Sequence, residues 1–269
     1  MKKMSLTEML TYSTVLIKCT YFDGTAGSGT GFIINLCRDN KNTCVPVIIT
    51  NKHVIANSDL TEFEFCRANY DGTPNDQEAV LSVCSSSAWI MHPSSNVDLC
   101  CLPLAPVLNN IHSNGQNAFY IPIETELIPH QLYIEDLAAM EDVVMIGYPI
   151  GLSDTYNHKP IMRKGVTATH IKNDYQGKKH FLVDIACFPG SSGSPIFILN
   201  EGTYSTPNGL QIGNRIYLIG VLFAGHQYTA TGVLQFSNLP NLPCPVTQIP
   251  TNLGIAIKAS EILEFEKMF

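Results

Sequence analysis

No run of the 269-residue chain approaches the roughly 18–20 consecutive apolar residues that a membrane-spanning helix needs, so no membrane partner is expected. Basic charge is also scarce. The 16 Lys and Arg residues stand against 23 Asp and Glu, the formal net charge is −7, and no basic run exceeds a pair such as Lys178-Lys179. Phosphate backbones are held by clustered positive charge, so no nucleic-acid partner is expected. Met1-Lys2-Lys3 opens like a signal peptide, but SLTEMLTYST carries Glu8 and no apolar stretch follows. The reading is a soluble, cytoplasmic protein. The nine cysteines form no C-x-x-C pair, and Cys19, Cys37, Cys44, Cys66, Cys84, Cys100, Cys101, Cys187 and Cys244 are read as free thiols. H-E-x-x-H is absent, as is the G-K-[ST] of a phosphate-binding loop. His92, His112, His130, His158, His170, His180 and His226 show no metal-ligand spacing. Neither a metal nor a cofactor is expected.

What the chain does have is core-forming material, with 45% hydrophobic and only 14% charged residues. That material comes as short runs rich in Val, Ile, Thr, Tyr and Phe, separated by turn residues. TVLIKCTYF, GTGFIINL, VPVIIT, EFEFC, SAWIM and DLCCLPL fill the first half. DVVMIGYP, MRKGVTATHI, HFLVDIA, SPIFIL, RIYLIGVLFAG and NLGIAIKA fill the second. The spacing predicts an all-β sandwich or barrel architecture. Helical signals are few: a short helix over VIANS after His53, and a C-terminal helix over 259–269 with Ser260 as its N-cap. A stretch of mixed polarity at 121–141 reads as a linker between two strand-rich domains, 1–120 and 142–258.

Three residues stand out against this background. His53 follows an apolar run in VPVIITNKHVI, Asp98 lies where a polar loop enters a strand in HPSSNVDLCCLPL, and Ser192 sits in the turn CFPGSSGSP. Each alone reads as an ordinary structural residue. Together, in the order His, Asp, Ser, they match the chain order of a chymotrypsin-type triad. The rival constellations fit less well. G-x-S-x-G would need Gly where Ser194 stands, and Cys187 lies five residues before Ser192 and so does not take the nucleophile's place. A catalytically silent binding or scaffold protein of the same fold is the remaining alternative, and the intact set of three residues argues against it.

The motifs GSGTGFII, IITNKHVI, VDLCCLPL, VVMIGYPIGL and DIACFPGSSGSP resemble, in order, those of trypsin-like serine proteases, nearest the HtrA/Deg group of bacterial enzymes. The resemblance runs from about Thr14 to Lys258. It implies two packed six-stranded antiparallel β-barrels with the site between them, and a protein or peptide substrate. It also implies His53 as base, Asp98 as orienting acid, Ser192 as nucleophile, and the N–H groups of Gly190 and Ser192 as the oxyanion hole. A specificity pocket is implied at Ala186, Leu222 and Gly225, and Ala186 supplies no counter-charge for Arg or Lys. Three departures from the family carry expectations. Ser191 replaces the acid that pairs with a new N-terminus in digestive enzymes, so no activation cleavage is expected. Ser194 replaces a glycine. The residues after 259 leave no room for a PDZ domain. Oligomeric state is not legible.

Overall fold

The computed structural model describes residues 4–36, 44–207, 209–231 and 246–269; Cys37 and Cys244 lie outside these. The chain opens with a short helix α1 (Leu6–Thr11), started by a reciprocal capping box between Ser5 and Glu8. Nine strands follow: β1 (Thr14–Tyr21), β2 (Ala26–Leu36), β3 (Val45–Thr50), β4 (Ser58–Ala68), β5 (Pro74–Ser85), β6 (Ile90–Met91), β7 (Cys100–Pro103), β8 (Ala118–Phe119) and β9 (Ile123–Glu124). They form one sheet in the order β5-β4-β1-β2-β3-β7-β6, with β8 on β4 and β9 parallel to β2. Helix α2 (Lys52–Ile55) follows β3, and α3 (Leu104–Ser113) follows β7.

The second half contains α4 (Gln131–Glu135) and eight further strands: β10 (Asp142–Gly147), β11 (Ile161–Thr167), β12 (His180–Asp184), β13 (Pro195–Asn200), β14 (Thr203–Thr206), β15 (Gly209–Ile212), β16 (Arg215–Thr231) and β17 (Val246–Lys258). Here β10-β11-β12-β17-β16-β13 closes into a six-stranded antiparallel barrel, and β14-β15 is a separate hairpin. The all-β expectation holds, with the first half carrying nine strands in its sheet rather than six.

The pattern of burial explains why the central runs lack polar alternation. In β2, Phe32, Ile34 and Leu36 face a core shared with Ile146, Phe197, Leu218 and Val221 of the second half, while Ile33 faces the interior of the first. β3 divides in the same way, Val47 and Ile49 toward the shared core and Ile48 inward. Strands covered on both faces read as continuous apolar runs. The second half has its own interior around Val143, Phe181, Ile196 and Ile219.

The glycines of GSGTG answer to close packing on one face of β2. A Cβ on Gly27 would meet the Tyr21 ring, one on Gly29 would lie 2.4 Å from Val54 Cγ1, and one on Gly31 would lie 2.8 Å from Ile48 Cγ2. Ser28 and Thr30, on the other face by strand alternation, are turned toward the second half.

The expected C-terminal helix forms over Ala259–Met268 as a 3₁₀ helix, preceded by Lys258 rather than capped by Ser260, and with no side-chain cap. The reason is visible in its apolar spacing: Ala259, Ile262 and Phe265, three residues apart, are its buried side chains, and residues i and i+3 eclipse in that geometry. Ile262 and Phe265 join the shared core. No helix of the described residues is long and apolar enough to cross a membrane.

Candidate active site

β3 ends at Thr50, and Asn51 leads directly into the single turn α2 that carries His53. Asn51 is fully buried and donates from Nδ2 to the Asp98 carbonyl at 2.8 Å, which fixes the Asp98 loop against the start of α2. The Asp98 carboxylate then takes two bonds from one residue. The His53 backbone N–H donates to Oδ1 at 3.1 Å, and His53 Nδ1 meets Oδ2 at 2.5 Å. An ionised carboxylate only accepts, so Nδ1 carries the proton and Nε2 is left with a free lone pair. The His53 side chain is about half exposed, at 47%.

The loop bearing Asp98 is held from below. Lys52 Nζ donates to the carbonyls of His92 and Ser94 at 3.3 and 3.0 Å. His92, buried, accepts from the Ser94 N–H on Nδ1, and its Nε2 meets the Glu261 carbonyl at 3.1 Å, so the C-terminal helix braces this loop.

CFPGSSGSP joins β12 to β13 as a turn with two left-handed glycines, Gly190 at φ +84° and Gly193 at φ +87°. Within it the Ser191 N–H donates to Phe188 O, Gly193 N–H to Leu222 O and Ser194 N–H to Ser191 O. Among the described residues the N–H groups of Gly190 and Ser192 take no backbone partner. The Pro189 carbonyl accepts from Ile150 N–H at 2.5 Å. Carbonyl and N–H point oppositely across a trans peptide, so Gly190 N–H is aimed away from the 148–151 loop. Gly190 is required twice over, by its positive φ and because a Cβ would lie 2.7 Å from Tyr148 O. Ile150 itself sits at φ +48°, an unusual backbone for a β-branched residue.

The turn is bound to the first half. Thr30 N–H donates to Ser192 O at 2.9 Å, while Val54, next to His53, packs on Gly29, next to Thr30. His53 and Ser192 are thereby tied to neighbouring points of β2. The Ser192 hydroxyl makes its hydrogen bond to Phe223 O, at 3.4 Å, rather than to His53. Ser191 is buried with a hydroxyl that has no hydrogen-bond partner among the described residues, as is Ser194.

Beside Ser192 lies a small pocket of about 120 Å³ lined by Cys187, Pro189, Leu222, Ala224, Gly225 and Pro250, with Phe188 and the exposed His226 beside them. Leu222, Gly225 and Cys187 line this pocket, and Ala186 is not among its lining residues. The Ala186 carbonyl is taken by the Arg163 guanidinium. Burial pushes the Cys187 thiol up to about 11, which keeps it neutral at physiological pH. No group of three or more His, Cys, Asp or Glu able to hold a metal occurs among the described residues.

Asn51, Thr30, Ile150 and the Phe223 carbonyl were not singled out by sequence. Asn51 and Thr30 lie inside motifs that carried the resemblance, but the partners that give them their roles are remote in the chain.

No curated protein sequence matches this chain. Among solved structures it is similar to the HtrA-type protease AlgW with a tripeptide, at 16% identity and TM-score 0.49 over 96% of this chain and 60% of that one. It is also similar to the serine endoprotease from Yersinia pestis (17%, TM-score 0.47, 97% and 63%) and to the Rv3671c protease in its inactive form (16%, TM-score 0.45, 96% and 89%). The chain thus spans about 60% of the length of the first of these. The trypsin-like peptidase domain matches residues 29–204, well over half of the sequence, and the chain belongs to that family.

Proposed function

We propose that the chain is a serine endopeptidase that hydrolyses protein or peptide substrates through an acyl-enzyme intermediate. The observation that carries this reading is the double hydrogen bond from His53 to Asp98, which leaves Nε2 as the acceptor. A serine hydroxyl is a weak nucleophile until a neighbouring imidazole takes its proton. In this reading Ser192 Oγ leaves Phe223 O and donates to His53 Nε2. Catalytic hydrogen bonds of this kind often tighten only once substrate is bound. Ser192 Oγ then attacks the scissile carbonyl carbon, and its proton passes to Nε2. Asp98 stabilises the resulting imidazolium and holds its ring orientation. The oxyanion is received by the N–H groups of Gly190 and Ser192, neither of which takes a backbone partner among the described residues. His53 returns the proton to the leaving amine, and water repeats the sequence to release the acid.

The pocket beside Ser192 suits a small apolar side chain, since Leu222, Gly225 and a neutral Cys187 line it and, among the described residues, no carboxylate does. Ser191 offers no carboxylate for an activation ion pair, so the reading includes activity without N-terminal cleavage.

The turned-away Ser192 hydroxyl favours one other reading, a silent member of the fold that binds without cleaving. Labelling with a fluorophosphonate separates the two. The folded wild type is expected to label and Ser192→Ala is not; an unlabelled wild type, or equal labelling of both, rejects Ser192 as an activated nucleophile.

A further inference from the structure

Thr30 is a fully buried polar residue on the β2 face turned to the second half, and its polar groups are all engaged at the seam. Its N–H donates to Ser192 O at 2.9 Å, and its carbonyl accepts from Thr50 Oγ1 at 2.7 Å. Its hydroxyl accepts from Tyr148 N–H at 2.9 Å and donates to Gly190 O at 3.0 Å. A hydroxyl has one proton to give, and Thr30 gives it to the turn that carries Ser192.

The position of that bond within the turn matters more than its strength. Gly190 N–H belongs to the peptide joining residues 189 and 190, and Ser192 N–H to the peptide joining 191 and 192. The peptide between them carries the Gly190 carbonyl, which is the group Thr30 Oγ1 holds. The first donor peptide is held by Ile150 N–H on Pro189 O, and the second by Ser194 N–H on Ser191 O. That middle peptide is held at its N–H end by Ser191 N–H on Phe188 O at 3.0 Å, and Thr30 holds its carbonyl end, the one hold on it that comes from the first half. Through Tyr148 N–H the same hydroxyl is tied to the strained segment that contains Ile150. The seam leaves little room for a different arrangement: a Cβ on Gly147 would lie 2.8 Å from Thr30 Oγ1, and one on Gly193 would lie 1.9 Å from Thr30 O.

We infer that the Thr30 hydroxyl is a positioning residue for the oxyanion hole, so that the first half of the molecule sets the geometry of donors that the second half supplies. This rests on the endopeptidase reading above. Thr30 touches no reacting atom and acts through the Gly190 carbonyl.

The test compares Thr30→Val, which keeps the shape and removes the hydroxyl, with Thr30→Ser, which keeps the hydroxyl and removes the methyl. Each is assayed on a cleaved peptide well below its own melting midpoint, with Ser192→Ala as the background. For T30V, kcat is expected to fall by about 10- to 100-fold with KM within about twofold, as misaimed rather than missing donors imply. A peptide aldehyde, which forms a tetrahedral adduct, should lose affinity by the same factor as kcat/KM. The acidic limb of the pH profile should not move, because the His53–Asp98 pair is untouched. T30S should return to within about threefold of wild type, since the hydrogen bonds are restored. If T30V does not fold, Thr30→Ala replaces it with the same expectation. A hydroxyl-free variant with kcat within about twofold of wild type overturns the assignment. So does a T30S enzyme that folds but is as slow as T30V, which would assign the methyl a packing role instead. Absence of any Ser192-dependent turnover in the wild type removes the endopeptidase reading, and this inference falls with it; a fast T30V enzyme removes this inference alone.

Discussion

Replacing Gly190 by Ala adds one methyl group at the most constrained point of the site. Two penalties arise, and they can be separated. The first is conformational: Gly190 sits at φ +84°, where an L-residue costs about 1–2 kcal/mol. The second is steric, because the new Cβ would lie 2.7 Å from Tyr148 O, 2.8 Å from Ile150 N and 3.2 Å from Gly151 N. All three are main-chain atoms, so relief requires the turn or the 148–151 loop to move by a few tenths of an ångström. That movement breaks the Ile150–Pro189 bond or tilts the peptide bearing Gly190 N–H. Loss of one oxyanion donor removes about 2.7–4 kcal/mol of transition-state stabilisation, a fall of about 100- to 1,000-fold in kcat. Gly177→Ala is the matched control. Gly177 lies at φ +71° with nothing within 4 Å of its added Cβ, so it bears the dihedral penalty without the collision. G177A should melt lower by roughly 2–8 °C, from about 1–2 kcal/mol of strain in a chain of this size, and G190A by at least as much. Only G190A should lose activity, measured as kcat on a cleaved peptide at a temperature where both are folded. A G190A enzyme with kcat within about threefold of wild type, or an equal loss in G177A, would refute the role given to this peptide.

Two further predictions concern stability. Glu141 and Arg215 form an ion pair with side chains only 8% and 7% exposed, so Glu141→Gln leaves a buried guanidinium without its carboxylate. The expected loss is about 3–5 kcal/mol, seen as a fall of roughly 6–20 °C in a thermal melt; a change under about 2 °C would contradict it. Asp174 bonds the largely buried Lys258 ammonium at 2.6 Å, and that bond holds its carboxyl below the usual carboxylate range. A carboxylate with a depressed folded pKa contributes stability that is present above its unfolded value, near about 3.9, and is lost as pH falls through the folded value. Asp174→Asn should therefore destabilise by about 2 kcal/mol at pH 7, with the gap to wild type closing below about pH 3.9. A gap that stays constant through the acid range in denaturant titrations would rule this out.

The fold was legible where burial is simple. β1 and β3 were read within a residue or two because their apolar runs are bounded by polar turns. α3 was missed although Leu104, Val107 and Ile111 already mark its buried face, because DLCCLPL reads as strand up to its last residue. β5 was missed because an edge strand with Leu81 and Val83 exposed lacks a buried-strand signature. At the site, His53, Asp98 and Ser192 were legible as residue types in a known order. Thr30, Asn51 and Ile150 were not, because each acts through a main-chain group more than forty positions away or across a turn whose shape the sequence does not reveal. The resemblance implied Ala186 for a specificity pocket; the pocket beside Ser192 is lined by Cys187 and not by Ala186.

The bracing of the Asp98 loop by the C-terminal helix bears on the order in which the supports of the site are made. His92, at the base of that loop, is held by the carbonyl of Glu261 and by the edge of the Phe265 ring, and the turn carrying Ser192 is closed by Leu222. A chain growing from its N-terminus has His53, Asp98 and Ser192 in hand while these later supports do not yet exist. The supports of His92 are therefore complete only once the chain has been made through Phe265, well after His53, Asp98 and Ser192.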